Sequence, residues 1–190
     1  MKAIEDAKAM IEAWGAEYPW VIFLALVILP GFGFPASFLL VLAGVVWGPT
    51  PGSCLLAMLA VTMNISWTHL AASGVARPLV TRMLGNRWQR WQNLPKQELR
   101  RLTWVLRVTP GMPLCVQNYL LSLLGVPFWY SVLVALPLTG LYVAGFILTG
   151  GAIFEGNVGL LITGISVLVV ATVVIKSIRA RQNRRMANPS

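Results

Sequence analysis

The placement of charge constrains this chain more than any other feature. No Asp, Glu, Lys or Arg occurs between Glu17 and Arg77, none between Arg107 and Glu155, and none between Glu155 and Lys176. A helix crosses the hydrocarbon core of a bilayer with about 20 apolar residues. Each window therefore has room for at least one crossing, and the first two have room for more. A soluble fold of 190 residues, 57% hydrophobic and 11% charged, would leave much apolar surface facing water. Lipid as the solvent removes that conflict. The sequence predicts an all-α integral membrane protein.

The windows are not uniform. Residues 20–48 are apolar but are interrupted by Pro30-Gly31, Gly33 and Pro35. Proline inside a helix removes a backbone hydrogen bond and clashes with the preceding turn, and freed backbone groups in lipid need partners within the protein. The segment is either a kinked helix or a re-entrant hairpin. Its arms, 20–29 and 38–47, each cover about half the hydrocarbon thickness, which favours the hairpin. Residues 105–127 are broken in the same way by Pro110-Gly111 and Pro113. Segments 52–75, 128–149 and 157–175 read as about three full spans. Residues 1–18 place Ile4, Ala7, Ile11, Trp14 and Tyr18 on one helical face, as in a surface amphipathic helix or an ordinary packed one. Residues 77–104 interleave Leu79, Met83, Leu84, Trp88 and Trp91 with Arg82, Arg87 and Arg90, a second interfacial pattern. Pro95 suits the start of a further short helix with Glu98 in its first turn. Residues 177–190 form a basic tail.

The net charge of +9 resides in residues 77–107 and in the tail from Lys176. Both stretches flank hydrophobic windows, so topology and anionic headgroups account for them, and no nucleic-acid reader motif accompanies them. The positive-inside rule makes both cytoplasmic; the side of the N-terminus stays open. Cys54 and Cys115 read as small buried hydrophobes. His69 is the single histidine, either a proton relay or a hydrogen-bonded packing residue. Asn64 either lines a polar path or bonds across helices. No metal spacing, P-loop or nucleophile elbow is present, so no enzyme, cofactor or metal is expected.

The two breaks occupy corresponding places, each followed by an apolar arm, a glycine (Gly44, Gly125) and a full span. Paired Gly/Pro-interrupted segments mark the binding site of inverted-repeat transporters. Half-helices starting inside the membrane expose unpaired N–H groups that favour anions; the alternative is a pair of kinks that only shape packing. Arg107 adds weight to the site reading. It lies in an apolar run beside the second break, with no acid in the window that follows. A guanidinium at membrane depth is a functional candidate suited to phosphate, unless it snorkels to the interface beside Arg100 and Arg101.

At FPASFLLVLAGVVWGP, at the stretch ending in Ala76-Arg77, and at RVTPGMPLCVQNYLLSLLGVPF, the chain resembles the DedA superfamily, also called the VTT-domain or SNARE-associated Golgi protein family. The likeness runs from about residue 20 to 175 and points to the VTT-like branch. Arg107, Pro110, Pro113, Asn118 and Tyr119 are its most specific carriers. The resemblance implies two re-entrant hairpins facing each other with inverted-repeat character, and lipid transport in a bacterial inner membrane. Many bacterial members carry two acids in the first hairpin region, and here those positions are Ala25 and Ser37. They also carry a second arginine, and here that position is Pro113. Proton coupling through those acids is therefore not implied for this chain.

The function expected is a membrane lipid translocator, of flippase or scramblase type, handling an anionic phospholipid or polyprenyl-phosphate headgroup. Its candidate binding residues are Arg107, Pro110, Gly111, Pro113, Asn118, Tyr119, Pro30, Gly31, Pro35, Ser37 and Arg77. The partners are membrane lipids, with a second copy of the chain as a further candidate. A small-solute or ion transporter and a non-transporting membrane scaffold are the alternatives.

Overall fold

A computed structural model of the protein describes residues 13, 17–76, 82, 94–108 and 112–187. Pro30 shapes its first part. Helix α1, Pro19–Ile28, gives way to a 3-10 turn, Leu29–Phe32, because Pro30 has no N–H to continue the ladder. Gly33 then takes φ 98°, a left-handed conformation cheap only for glycine. Helix α2, Ala36–Trp47, follows Pro35. The Trp47 indole N–H donates to the Pro19 carbonyl at 3.2 Å. The last residue of α2 thus meets the first of α1, so the two arms run antiparallel and the chain returns to its starting level. With 10 and 12 residues, the arms are about 15 and 18 Å long at 1.5 Å per residue.

Helix α3, Pro51–Ala71, is started by Thr50, whose hydroxyl accepts the Ser53 N–H at 3.1 Å. Proline at the first helical position and a threonine cap form a strong start signal. A π-helical turn, Ala72–Ala76, ends it. Helix α4, Lys96–Val108, begins directly after Pro95 with Glu98 in its first turn. Helix α5, Leu114–Leu123, follows Pro113. Leu106 of α4 packs with Leu121 and Val126, flanked by Leu99, Leu102 and Met112. Helix α6, Phe128–Glu155, is separated by Gly156-Asn157 from α7, Val158–Ala187. The basic segment beyond Lys176 is helical as far as Ala187, in keeping with the good helix propensity of its Arg, Ala, Gln and Met residues.

The main core joins α1, α2, α3 and α6 through Leu26, Leu40, Ala57, Val61, Ile65 and Ile147. Backbones approach closely where α2 meets α6: a Cβ on Gly44 would collide with the Ile147 carbonyl, and one on Gly150 with the Val41 carbonyl. Gly164 of α7 meets Thr149 of α6 in the same manner.

Among the described residues the fold is all-helical, without a strand. Two stretches are long and apolar enough to cross a membrane, Pro51–Gly74 with 24 residues and Phe128–Ile153 with 26. The apolar stretch Leu161–Val174 of α7 is shorter than that. Of the expected amphipathic segments, 1–18 and the 77–93 part of 77–104 fall almost wholly outside the described residues, while 96–104 belongs to α4. The surface inverts the soluble pattern. Phe32 is 77% exposed and Trp129 73%, with Leu55, Leu133, Ile162 and Val173 also outside. Asn64, Thr68, His69, Arg107, Asn118 and Ser131 are buried. Buried polar groups beside a broad exposed apolar surface are the informative departures from a soluble fold.

Candidate functional site

The turn at Pro30 leaves backbone groups that the helix would otherwise have paired, and neighbouring side chains take them up. The Val27 carbonyl accepts the Asn64 amide N–H at 2.7 Å and the Trp67 indole N–H at 2.6 Å, both from α3. The Gly31 carbonyl accepts the Tyr119 hydroxyl of α5 at 2.9 Å. Asn64 is thereby a cross-helix bond, one of the two roles its sequence context allowed. Gly31 is buried against Trp67 and Thr68, where a Cβ would overlap the indole. The tip of the first hairpin is therefore fastened to both α3 and α5.

Arg107 lies near the C-terminal end of α4 with 8% of its surface exposed. Its Nη1 donates to Asn118 Oδ1 at 2.8 Å and its Nη2 to Ser131 Oγ at 3.0 Å. Asn118 Nδ2 donates in turn to Thr68 Oγ1 at 2.9 Å, and the Thr68 hydroxyl donates to the Asn64 carbonyl at 2.6 Å. This chain fixes the Asn118 amide with its oxygen toward the guanidinium. All three side chains that order Arg107 are neutral. The ion pair among the described residues, Arg101–Glu98 at 3.5 Å, sits on the exposed face of α4. Arg107 Nε has no hydrogen-bond partner among the described residues. A buried charge without a counter-charge is costly, and among the described residues Arg107 has none.

Arg107 lines a cavity of about 420 Å³, within the range of small-molecule sites. Ala36 and Ser37 at the start of α2 and Leu114 and Gln117 at the start of α5 border it. Thr139, Tyr142 and Phe146 of α6 also line it, with Leu40, Val61 and Leu138 as apolar wall. Pro35 and Pro113 are the N-caps of α2 and α5, and neither helix has a side-chain cap. The first-turn N–H groups of both helices have no side-chain cap among the described residues and carry the positive end of the helix dipole. One guanidinium and two uncapped helix starts thus border a single largely apolar space.

The structure distributes the expected binding residues over several places. Arg107 and Ser37 line the cavity. Asn118 holds Arg107, and Tyr119 holds Gly31. Pro30 and Gly31 are buried in the tip of the first hairpin; Pro35 and Pro113 cap the two helices. Pro110, Gly111 and Arg77 lie outside the described residues. His69 is buried with its ring edge-on to Phe128, centroids 5.7 Å apart, and its carbonyl accepts the Ser122 hydroxyl at 2.6 Å. It does not line the cavity. The sequence marked Thr68 only as one of the polar residues of the 52–75 span and gave no site role to Ser131, Gln117, Thr139 or Tyr142. Thr68 carried a signal, since it lies four residues after Asn64 on one helical face; Thr139 and Tyr142 looked like ordinary members of a span. Among the described residues, no three His, Cys, Asp or Glu side chains cluster as metal ligands would.

Comparison with known proteins gives no match: no family model, no curated protein and no solved structure corresponds to this chain.

Proposed function

We propose that this protein is a multi-pass membrane protein that translocates lipids, binding an anionic headgroup at Arg107 while the hydrocarbon tail stays in the bilayer. The observation that carries the proposal is the cavity itself, in which a guanidinium with no counter-charge among the described residues and two helix starts without side-chain caps share an apolar space. Helix N-termini and arginine both bind phosphate oxygens. The exposed faces of α3 and α6 are apolar, which suits lipid contact and permits a tail to remain outside the cavity. On this reading the α1–α2 hairpin is re-entrant: its arms are too short to cross, its ends meet, and its freed carbonyls are paired by protein side chains as lipid surroundings require. The α4–α5 pair is its counterpart, and the basic 77–107 stretch and C-terminal segment face the cytoplasm of a bacterial inner membrane.

The test is reconstitution into liposomes with a fluorescent anionic lipid and a membrane-impermeant quencher. Wild-type protein should accelerate flipping, and Arg107→Ala should reduce it by at least tenfold, the loss expected for a charged hydrogen bond of about 1.5–3 kcal/mol. Undiminished flipping by Arg107→Ala would remove the cavity from the mechanism. Uptake of a small anion without lipid movement would favour a solute transporter.

A further inference from the structure

We propose that the cavity selects phosphodiester headgroups bearing uncharged hydroxyl groups, of the glycerol type, and rejects headgroups bearing an ammonium. This deepens the translocator reading and rests on it. Apart from Arg107, the polar side chains on the cavity wall are Ser37, Gln117, Thr139 and Tyr142, all uncharged. Among the described residues no carboxylate lines it, and beyond Glu17 the sequence leaves little scope for one to reach it. Acids are absent between Glu17 and Glu98 and again between Glu98 and Glu155, so α1, α2, α3 and α5 contain none. Glu98 is turned to Arg101 on the exposed face of α4. Glu155 is the last residue of α6, 13 positions beyond Tyr142, or about 20 Å along the helix.

A phosphodiester placed on Arg107 carries its substituent only a few bonds away. An ammonium there would meet the guanidinium and the positive ends of α2 and α5, and its one anionic neighbour would be the phosphate already paired with Arg107, with no lining carboxylate among the described residues. Desolvation without pairing and like-charge repulsion both oppose it. One feature of the wall attracts cations, the stacked Tyr142–Phe146 pair with ring centroids 6.4 Å apart. At 5 Å and an effective protein dielectric of 20, repulsion from a guanidinium exceeds a good cation–π contact by about twofold. A hydroxylated substituent meets no such opposition, because hydroxyl and amide side chains both donate to it and accept from it.

Ser37 supplies the test, since it faces the same cavity as Arg107. Proteoliposomes are assayed in turn with labelled phosphatidylglycerol and labelled phosphatidylethanolamine. Wild-type protein should move the glycerol headgroup about tenfold faster, the effect of one unpaired buried group. Ser37→Asp places a carboxylate in the cavity, and should narrow that ratio at least fivefold by slowing the glycerol headgroup and speeding the ethanolamine one. Ser37→Asn, similar in size and uncharged, should keep the wild-type ratio. Wild-type rates for the two lipids within twofold of each other, both above protein-free liposomes, would overturn the selectivity and leave the translocator reading standing. No acceleration of either lipid would overturn both. The wild-type comparison decides the matter even if Ser37→Asp fails to fold.

Discussion

Thr68→Val tests whether Arg107 is ordered by the polar chain behind it. Valine has nearly the shape of threonine and keeps the γ-methyl that packs on Gly31, so the change removes little besides the hydroxyl. That hydroxyl accepts from Asn118 Nδ2 at 2.9 Å, and both residues are 0% exposed. Losing it leaves an amide donor buried without a partner, at about 1–3 kcal/mol. Cross-helix hydrogen bonds in membrane proteins average only about 0.6 kcal/mol and reach about 1.7, because the unfolded chain in lipid also finds partners. The expected destabilisation is therefore about 1–2 kcal/mol, with flipping reduced less than by Arg107→Ala. The assay is reversible unfolding in mixed micelles of wild type, Thr68→Val, Asn118→Leu and the double variant. A coupling of about 0.5–1.5 kcal/mol between the two positions is expected for a shared hydrogen bond. Additivity within about 0.3 kcal/mol would refute the claim that Thr68 acts on Arg107 through Asn118.

Two further predictions concern the frame. Gly150→Ala puts a methyl into the Val41 carbonyl; because backbone cannot step aside, it should destabilise by about 1–3 kcal/mol. Gly140→Ala in the same helix would meet the end of the Met58 side chain, Cε at 3.6 Å, and should be neutral or stabilising by up to about 1 kcal/mol, as thermal unfolding in detergent would show. Trp47→Phe removes the bond that closes the base of the α1–α2 hairpin and should cost about 0.5–1.5 kcal/mol. Unchanged stability would mean that packing alone holds the arms together.

The positions of the breaks were legible because proline and glycine act locally. Pro30 ends α1, Gly33 turns the chain, and Pro35 and Pro113 precede new helices, each for a reason visible within a few residues. Arg107 stood out because a charge in an apolar run has no local explanation. The partners of Arg107 were not legible. Asn118 and Ser131 lie 11 and 24 residues away, and serine or threonine in a span most often bonds to its own helix, as Thr62 and Thr149 do here. The division of labour within the breaks was hidden for the same reason. Pro30 and Gly31 shape a tip that rests on Trp67, whereas the cavity opens at the far side of the turn, at Ala36 and Ser37. That assignment depends on which helix packs where.

The close approach of α2 and α6 at Gly44 and Gly150 has a mechanical consequence. Ser37 belongs to α2, and Thr139, Tyr142 and Phe146 belong to α6, so one side of the cavity is carried on two rods joined backbone to backbone, with α7 braced behind them at Gly164. Packing this tight allows little sliding. The other side is carried by α4 and α5, which meet their neighbours through side chains and hydrogen bonds that can exchange partners. The cavity thus has a stiff wall and a compliant one. A ligand that enlarges it does so by displacing Arg107 and Gln117, and distance probes placed on α2 and α6 should keep their spacing while those on α4 move.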